Sequence, residues 1–159
     1  MRKVYELLES DARLTPEQIA TMTGASEDEV KGIIEEAEKD RIIVKYKTMI
    51  NWEKAGDDRV WAMIEVKMQP QKDVGFDAVA ERIYRFPQVR TLYLISGTYD
   101  LAVYVVGKTM QDVSSFVSQK LAPIEGVQGT VTHFLLKRYK EDGEILDYRG
   151  GDRRQPLSI

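Results

Sequence analysis

The 159-residue chain contains no cysteine. That excludes a disulfide framework and any cysteine-ligated zinc or iron–sulfur site, and it fits a cytoplasmic location. A single histidine, His133, argues against multi-histidine metal sites and weakens most catalytic triads. No apolar run approaches 18 residues, so no membrane span and no membrane partner are expected. The opening stretch MRKVYELLESDARL lacks the long apolar region of a secretory signal. No paired carboxylates, activated nucleophile or phosphate loop stands out, so an enzyme, a metal site and a cofactor are not expected. What remains is a near-balanced chain, 23 Lys and Arg against 26 Asp and Glu, with 31% charged residues. This is a folded, soluble composition, long enough for one ordinary domain or two small ones.

Residues 1–50 read as three helices. Val4, Leu7 and Leu8 form an apolar face at helical spacing. Thr15-Pro16-Glu17-Gln18 is a helix start, with Thr15 as N-cap, Pro16 at the first position and Gln18 in a capping box. Gly24 can stop that helix in the left-handed conformation. Ser26 caps the next, with Glu29 completing its box, and Val30, Ile33, Ile34 and Ala37 make one stripe. Two helices joined by a short Gly-containing turn describe a helix-turn-helix. Ala20, Gly24 and Val30 occupy the positions where DNA-binding versions place a small residue, a glycine and a branched apolar residue. Residues 41–47 read as a short strand, the wing of a winged helix. A DNA-binding face should be basic, yet this segment holds eight Lys and Arg against eleven Asp and Glu, net −3. The expected DNA contacts are Thr15, Ser26, Lys31, Lys45 and Lys47, weak and sensitive to salt.

Residues 51–58, NWEKAGDD, read as a linker. From 59 to 140 the order is βαββαβ. Residues 60–68 alternate as a strand ended by Pro70. Phe76, Val79, Ala80 and Ile83 mark a helix. Residues 89–95 and 101–106 are strands, 110–121 a helix, and 127–136 the last strand. The two halves echo each other, as a ferredoxin-like split βαβ domain requires. Two helices cover one face of a four-stranded sheet, yet both faces carry large apolar residues. The second strand sets Val89 and Ile95 against Leu92 and Leu94; the third sets Leu101, Val103 and Val105 against Ala102, Tyr104 and Val106. The fourth sets Val131 and Leu135 against Phe134 and Leu136. A soluble monomer avoids exposing such a face. A second copy, sheet against sheet, is the expected cover, and a two-fold dimer suits paired half-sites on DNA.

Between two of these strands lies Gly97-Thr98-Tyr99-Asp100. On local chemistry it is a turn. The architecture, with FDAVAERIYRFPQV, SGTYDL, GVQGTVTHF and KRYK, resembles the Lrp/AsnC family of feast/famine transcriptional regulators over about residues 1–140. The resemblance implies that SGTYD is the family's Gly-x-x-Asp signature, at a subunit interface, where it helps bind a small effector, usually an amino acid. It implies that Gly97 allows close approach, Asp100 pairs with an α-ammonium group, and the N–H groups of Thr98 and Tyr99 face a carboxylate. Gln128, Thr130 and Thr132, projecting from one face of the last strand, would supply further polar groups. The implied partners are double-stranded DNA, an amino-acid effector and a homodimer or higher oligomer of dimers. The departure is the third helix, where Lys31-Gly32-Ile33-Ile34-Glu35-Glu36 stands in place of the family's arginines and lysines.

Two other readings stay open. An acidic third helix fits a metabolite-binding assembly module that has lost strong DNA affinity. Tetrapyrrole decarboxylases share the architecture and use a pocket histidine, but His133 alternates with Val131 and Leu135 as a core or interface residue would. Residues 141–159 read as a tail, with Gly150, Gly151 and Pro156 marking an extended arm and Arg149, Arg153 and Arg154 available to DNA or a neighbouring subunit.

Overall fold

The structure is a computed structural model that describes residues 1–69 and 75–147. Pro70 as a strand terminator and the arginines 149, 153 and 154 lie outside the described residues. The chain divides into two compact units, residues 1–50 and residues 51–159.

The first unit has three helices, α1 (Arg2–Ser10), α2 (Pro16–Thr23) and α3 (Glu27–Lys39). Both expected capping boxes form. Thr15 Oγ1 accepts the Gln18 N–H while Gln18 Oε1 accepts the Thr15 N–H. Ser26 and Glu29 do the same for α3. Gly24, at φ 75°, closes α2. Val4, Leu8, Ile19, Ala20 and Val30 share one buried cluster, with Ile43 packed against it. Ala20 lets α2 and α3 approach, and Val30 fills the crossing.

The expected wing strand is absent. Residues 41–50 contain no strand. The cause is the way α3 ends. Arg41 takes a left-handed conformation, φ 57°. Its N–H donates to the Glu38 carbonyl and the Ile42 N–H to the Ala37 carbonyl, the two bonds of a Schellman stop. Arg41 is thereby spent on the cap, and Ile43 turns back onto the helices. Beyond it the segment has no strand within the unit to pair with.

The second unit contains β1 (Val60–Met68), α4 (Phe76–Tyr84), β2 (Val89–Leu94), β3 (Leu101–Gly107), α5 (Met110–Phe116) and β4 (Val127–Phe134). The four strands are antiparallel in the order β2-β3-β1-β4. α5 runs on into a single π-helical turn, Val117–Leu121, where the Ala122 N–H reaches the Val117 carbonyl. One sheet face packs on the helices. Ala62, Ile64, Val66 and Met68 of β1 and Leu101, Val103 and Val105 of β3 meet Val79, Ile83, Val113, Phe116 and Leu121 there. The other face carries Trp61, Met63, Tyr104, Val131 and Leu135 with the His133–Glu65 pair at 2.9 Å.

Two β-bulges alter the expected side-chain assignments. The register of β2 on β3 shifts between Val89 and Thr91. Val89 and Leu92 therefore both pack on the core, and Leu94, opposite Leu101, lies on the same face but stays largely exposed; strict alternation had separated Val89 from the two leucines. Tyr93 takes the open face instead, edge to face with Tyr104. The register of β4 on β1 shifts at Lys67/Met68, leaving Gln128 as the extra residue. β4 also ends at Phe134, so Leu136, 91% exposed, lies beyond the sheet.

The segment after residue 139 is not simply a tail. Lys140–Glu141 and Glu144–Ile145 form a hairpin, β5 and β6, around Asp142-Gly143, both at positive φ. Leu146 behind it is buried, and its carbonyl accepts from Asn51 Nδ2 at 2.9 Å.

Ile64 is wholly buried at the centre of the larger core. Ile64→Ala lowers unfolding free energy by about 2–5 kcal/mol, whereas Ile42→Ala, at a 58% exposed position, changes it by less than about 0.5 kcal/mol. Urea unfolding monitored by circular dichroism distinguishes the two.

Candidate functional site

The Gly97–Asp100 turn joins β2 to β3. The Ile95 N–H donates to the Asp100 carbonyl at 2.9 Å, closing a four-residue loop. Gly97 has φ 130°, a conformation that side chains rarely adopt. A β-carbon there would meet no atom within 4 Å, so Gly97 is required for its backbone shape and faces open space.

Asp100 already has protein partners. Its backbone N–H donates to the Val66 carbonyl, and its Oδ2 accepts the Met68 N–H at 2.8 Å. The side chain so adds one rung to the β3–β1 ladder. Lys67 Nζ lies 3.2 Å from the same carboxylate. The Met68 N–H, and then Lys67, hold the Asp100 pKa below the ordinary carboxylate value, against partial desolvation. Two oxygens offer about four acceptor positions, so capacity for a further donor remains.

Beside the turn is an open hollow of about 290 Å³, between α4 and β2. Phe76, Ala80, Leu92, Leu94 and Leu101 make it largely apolar; Asp77 and Tyr84 are its polar edge. Sequence reading missed it. The signal was present in the exposed apolar residues of α4, Phe76 and Tyr84, which a helix facing only water does not need.

Of the three positions on β4, Gln128 and Thr130 lie at the same sheet end as the turn, with β1 between. Thr132 sits farther along, opposite Ile64. The bulge breaks the alternation that placed the three on one face. Thr130 and Thr132 pair with Val66 and Ile64, both fully buried on the helix-covered side, while Gln128 is an exposed bulge residue.

In the first unit, the Thr15 and Ser26 hydroxyls are engaged as caps. Lys31 Nζ lies 2.8 Å from Glu27, and this neighbour raises the lysine pKa. Lys45 and Lys47 are exposed on the segment after α3.

A trihelical unit with a helix-turn-helix core, followed by a βαββαβ unit with a glycine–aspartate turn, defines a class of two-part regulators. Residues 61–145 match the Lrp/AsnC ligand binding domain. The HTH-type transcriptional regulator YugG of Bacillus subtilis is 47% identical over 157 residues, 98% of this chain and 95% of that protein. The HTH-type transcriptional regulator FL11 of Pyrococcus furiosus is 28% identical, covering 91% and 92%. This chain belongs to the Lrp/AsnC family of transcriptional regulators. Its fold is also that of E. coli AsnC (TM-score 0.69, 20% identity, 88% of this chain and 92% of that one). A feast or famine regulatory protein from M. tuberculosis, complexed with L-methionine, gives TM-score 0.73 at 20% identity, covering 91% and 95%.

Because its folded pKa is depressed, Asp100 adds stability that is complete above its unfolded value near 3.9 and is lost as pH falls through the folded value. Asp100→Asn therefore melts lower than the parent at pH 7, and the gap narrows below pH 4, as melting curves between pH 2.5 and 7 will record. Ser26→Ala costs the first unit about 1 kcal/mol by loss of the cap, read by chemical denaturation.

Proposed function

We propose that this regulator binds double-stranded DNA through residues 1–50 and senses an amino acid through residues 59–140, with residues 51–58 as linker. The observation that carries the sensing half is the juxtaposition of the Gly97–Asp100 turn with an apolar hollow. Asp100 keeps acceptor capacity for an α-ammonium group, a charge-assisted bond. The N–H groups of Thr98 and Tyr99 serve a carboxylate. Further polar groups at the same sheet end come from β4, the opposite edge strand: Gln128 at its exposed bulge and Thr130; Thr132, farther along opposite Ile64, is not part of the site. The hollow's lining favours an apolar side chain, in line with the L-methionine complexed with the M. tuberculosis relative.

The protein works as a homodimer or a higher oligomer of dimers. The support is the sheet face bearing Trp61, Met63, Tyr93, Tyr104, Val131 and Leu135, of which Tyr93 is 57% exposed and Val131 and Leu135 are each 38% exposed. Burial of each such side chain yields about 1.5–3 kcal/mol. A second copy covers this face, and the effector sits where copies meet. The first unit reads DNA as a helix-turn-helix without the wing strand, and Lys45 and Lys47 reach phosphates from an irregular segment. The protein is cytoplasmic and not an enzyme; among the described residues no helix is long and apolar enough to cross a membrane.

One observation favours a second reading, an assembly module with weak DNA binding. α3 carries Glu27, Asp28, Glu29, Glu35, Glu36 and Glu38, and Lys31 is held by Glu27. An electrophoretic mobility assay on the protein's own promoter region at low salt decides between them. A shift at micromolar protein that fades with added salt supports the regulator; none, with or without amino acids, supports the module.

Thermal-shift screening of the twenty amino acids tests the sensor. An apolar amino acid at about 100 times its Kd adds about 2.7 kcal/mol of stability, and Asp100→Asn abolishes the response. Light scattering that finds only an 18 kDa particle at micromolar concentration overturns the subunit-interface site.

A further inference from the structure

A cavity in the second unit lies at the opposite end of β3 from the Gly97–Asp100 turn. It has a volume of about 560 Å³, within the range of small-molecule sites. Its floor is apolar, with Val105, Val113 and Phe116. Its rim is cationic. Arg90, Lys108 and Lys120 line it, and none has a carboxylate within 4 Å among the described residues. Arg59, a fourth cation at the rim, forms an ion pair with Asp57 at 2.7 Å and lies over the Trp52 ring, although its buried Nε makes no well-aligned hydrogen bond. The one acid in the lining, Asp112, is occupied by the Thr109 N–H at 3.0 Å. Three unmatched cations around one hollow are notable in a chain whose net charge is −3.

Two backbone irregularities feed this cavity. Arg90 is the unpaired residue of the β2 bulge, and bulges re-aim a side chain. Gln119 and Lys120 come from the π turn after α5, a feature that recurs at functional sites because it rotates residues off the regular helical stripe. A third group awaits a partner. Gln88 Oε1 lines the same cavity, shielded from solvent and with no hydrogen bond. It is an acceptor, so it calls for a donor.

We infer that this cavity is a binding site for a small polyanion with an apolar or aromatic body, carrying phosphate or several carboxylates and one N–H or O–H donor. Arg90, Lys108 and Lys120 hold the anionic end. Phe116 and the valines pack on the body. Gln88 Oε1 accepts from the donor. The site is separate from the amino-acid reading: it uses the other end of the sheet and none of the same residues. It gives the ligand-binding unit a second input, sensitive to ionic strength.

Isothermal titration calorimetry on the full chain with pyrophosphate, AMP, ATP and citrate tests the assignment. AMP and ATP binding above pyrophosphate identifies phosphate with a body; citrate binding alone identifies carboxylates. The Arg90→Gln/Lys108→Gln double variant weakens whichever anion binds by at least about tenfold. Lys140→Gln, on the β5–β6 hairpin and outside the cavity lining, leaves it unchanged. The double variant keeps the parent's melting temperature or exceeds it without ligand, since like charges are removed. No heat from any of the four anions at millimolar concentration overturns the proposal, as does equal weakening by Lys140→Gln.

Discussion

A four-stranded sheet with two helices can be shielded on one side only. β1 is the axis of that constraint. It pairs with β3 on one edge and β4 on the other, and its alternate residues, Ala62 to Met68, form the floor on which both helices rest. The candidate positions of the turn and of β4 are fixed relative to this strand. The turn is tied to it by Asp100. The residues of β4 are set by its register. Trp61 and Met63 present its uncovered side, where greasy surface and the His133–Glu65 pair lie together.

Asp100 ties that scaffold to the proposed amino-acid site. On local chemistry it is a turn residue, and the family resemblance implies a group waiting for a ligand. In the structure it completes the strand ladder, with Met68 and Lys67 as partners. The two roles are compatible. A carboxylate that is already ionised and held in place by backbone loses little freedom when an ammonium group arrives. Gly97 has a similar double character: its backbone shape needs glycine, and the space over it is free.

Much of this was legible because it depends on neighbours in the chain. Thr15-to-Gln18 and Ser26-to-Glu29 are local patterns, and both boxes formed. The strand and helix order followed from apolar periods of two and 3.6. What was missed depends on partners far away in sequence. The bulges at Arg90 and Gln128 exist only in the register of one strand on another, so simple alternation misassigned Leu92, Leu94 and Gln128. Residues 41–47 have the composition of a strand, but Arg41 is used by the α3 stop and no partner strand exists in the unit. The Asp142-Gly143 hairpin did have a local signal, since Asp-Gly is a favoured two-residue turn; its setting in a polar stretch hid it. The hollow beside the turn left only a partial signal, Phe76 and Tyr84 on α4, and the cationic cavity left none, because each is assembled from segments that meet only after folding.

The wide turn at Val117–Leu121 has a consequence for how this family member can diverge. It accommodates one residue more than a regular helix of the same span, and each residue of an α-helix turns the chain by about 100°. Losing a single amino acid there would restore even winding without shifting any strand. The glutamine and lysine it presents would swing to another azimuth. The spare residue is thus a one-step dial, by which descendants of this chain can retune what lies along that helix while the β-layer stays as it is.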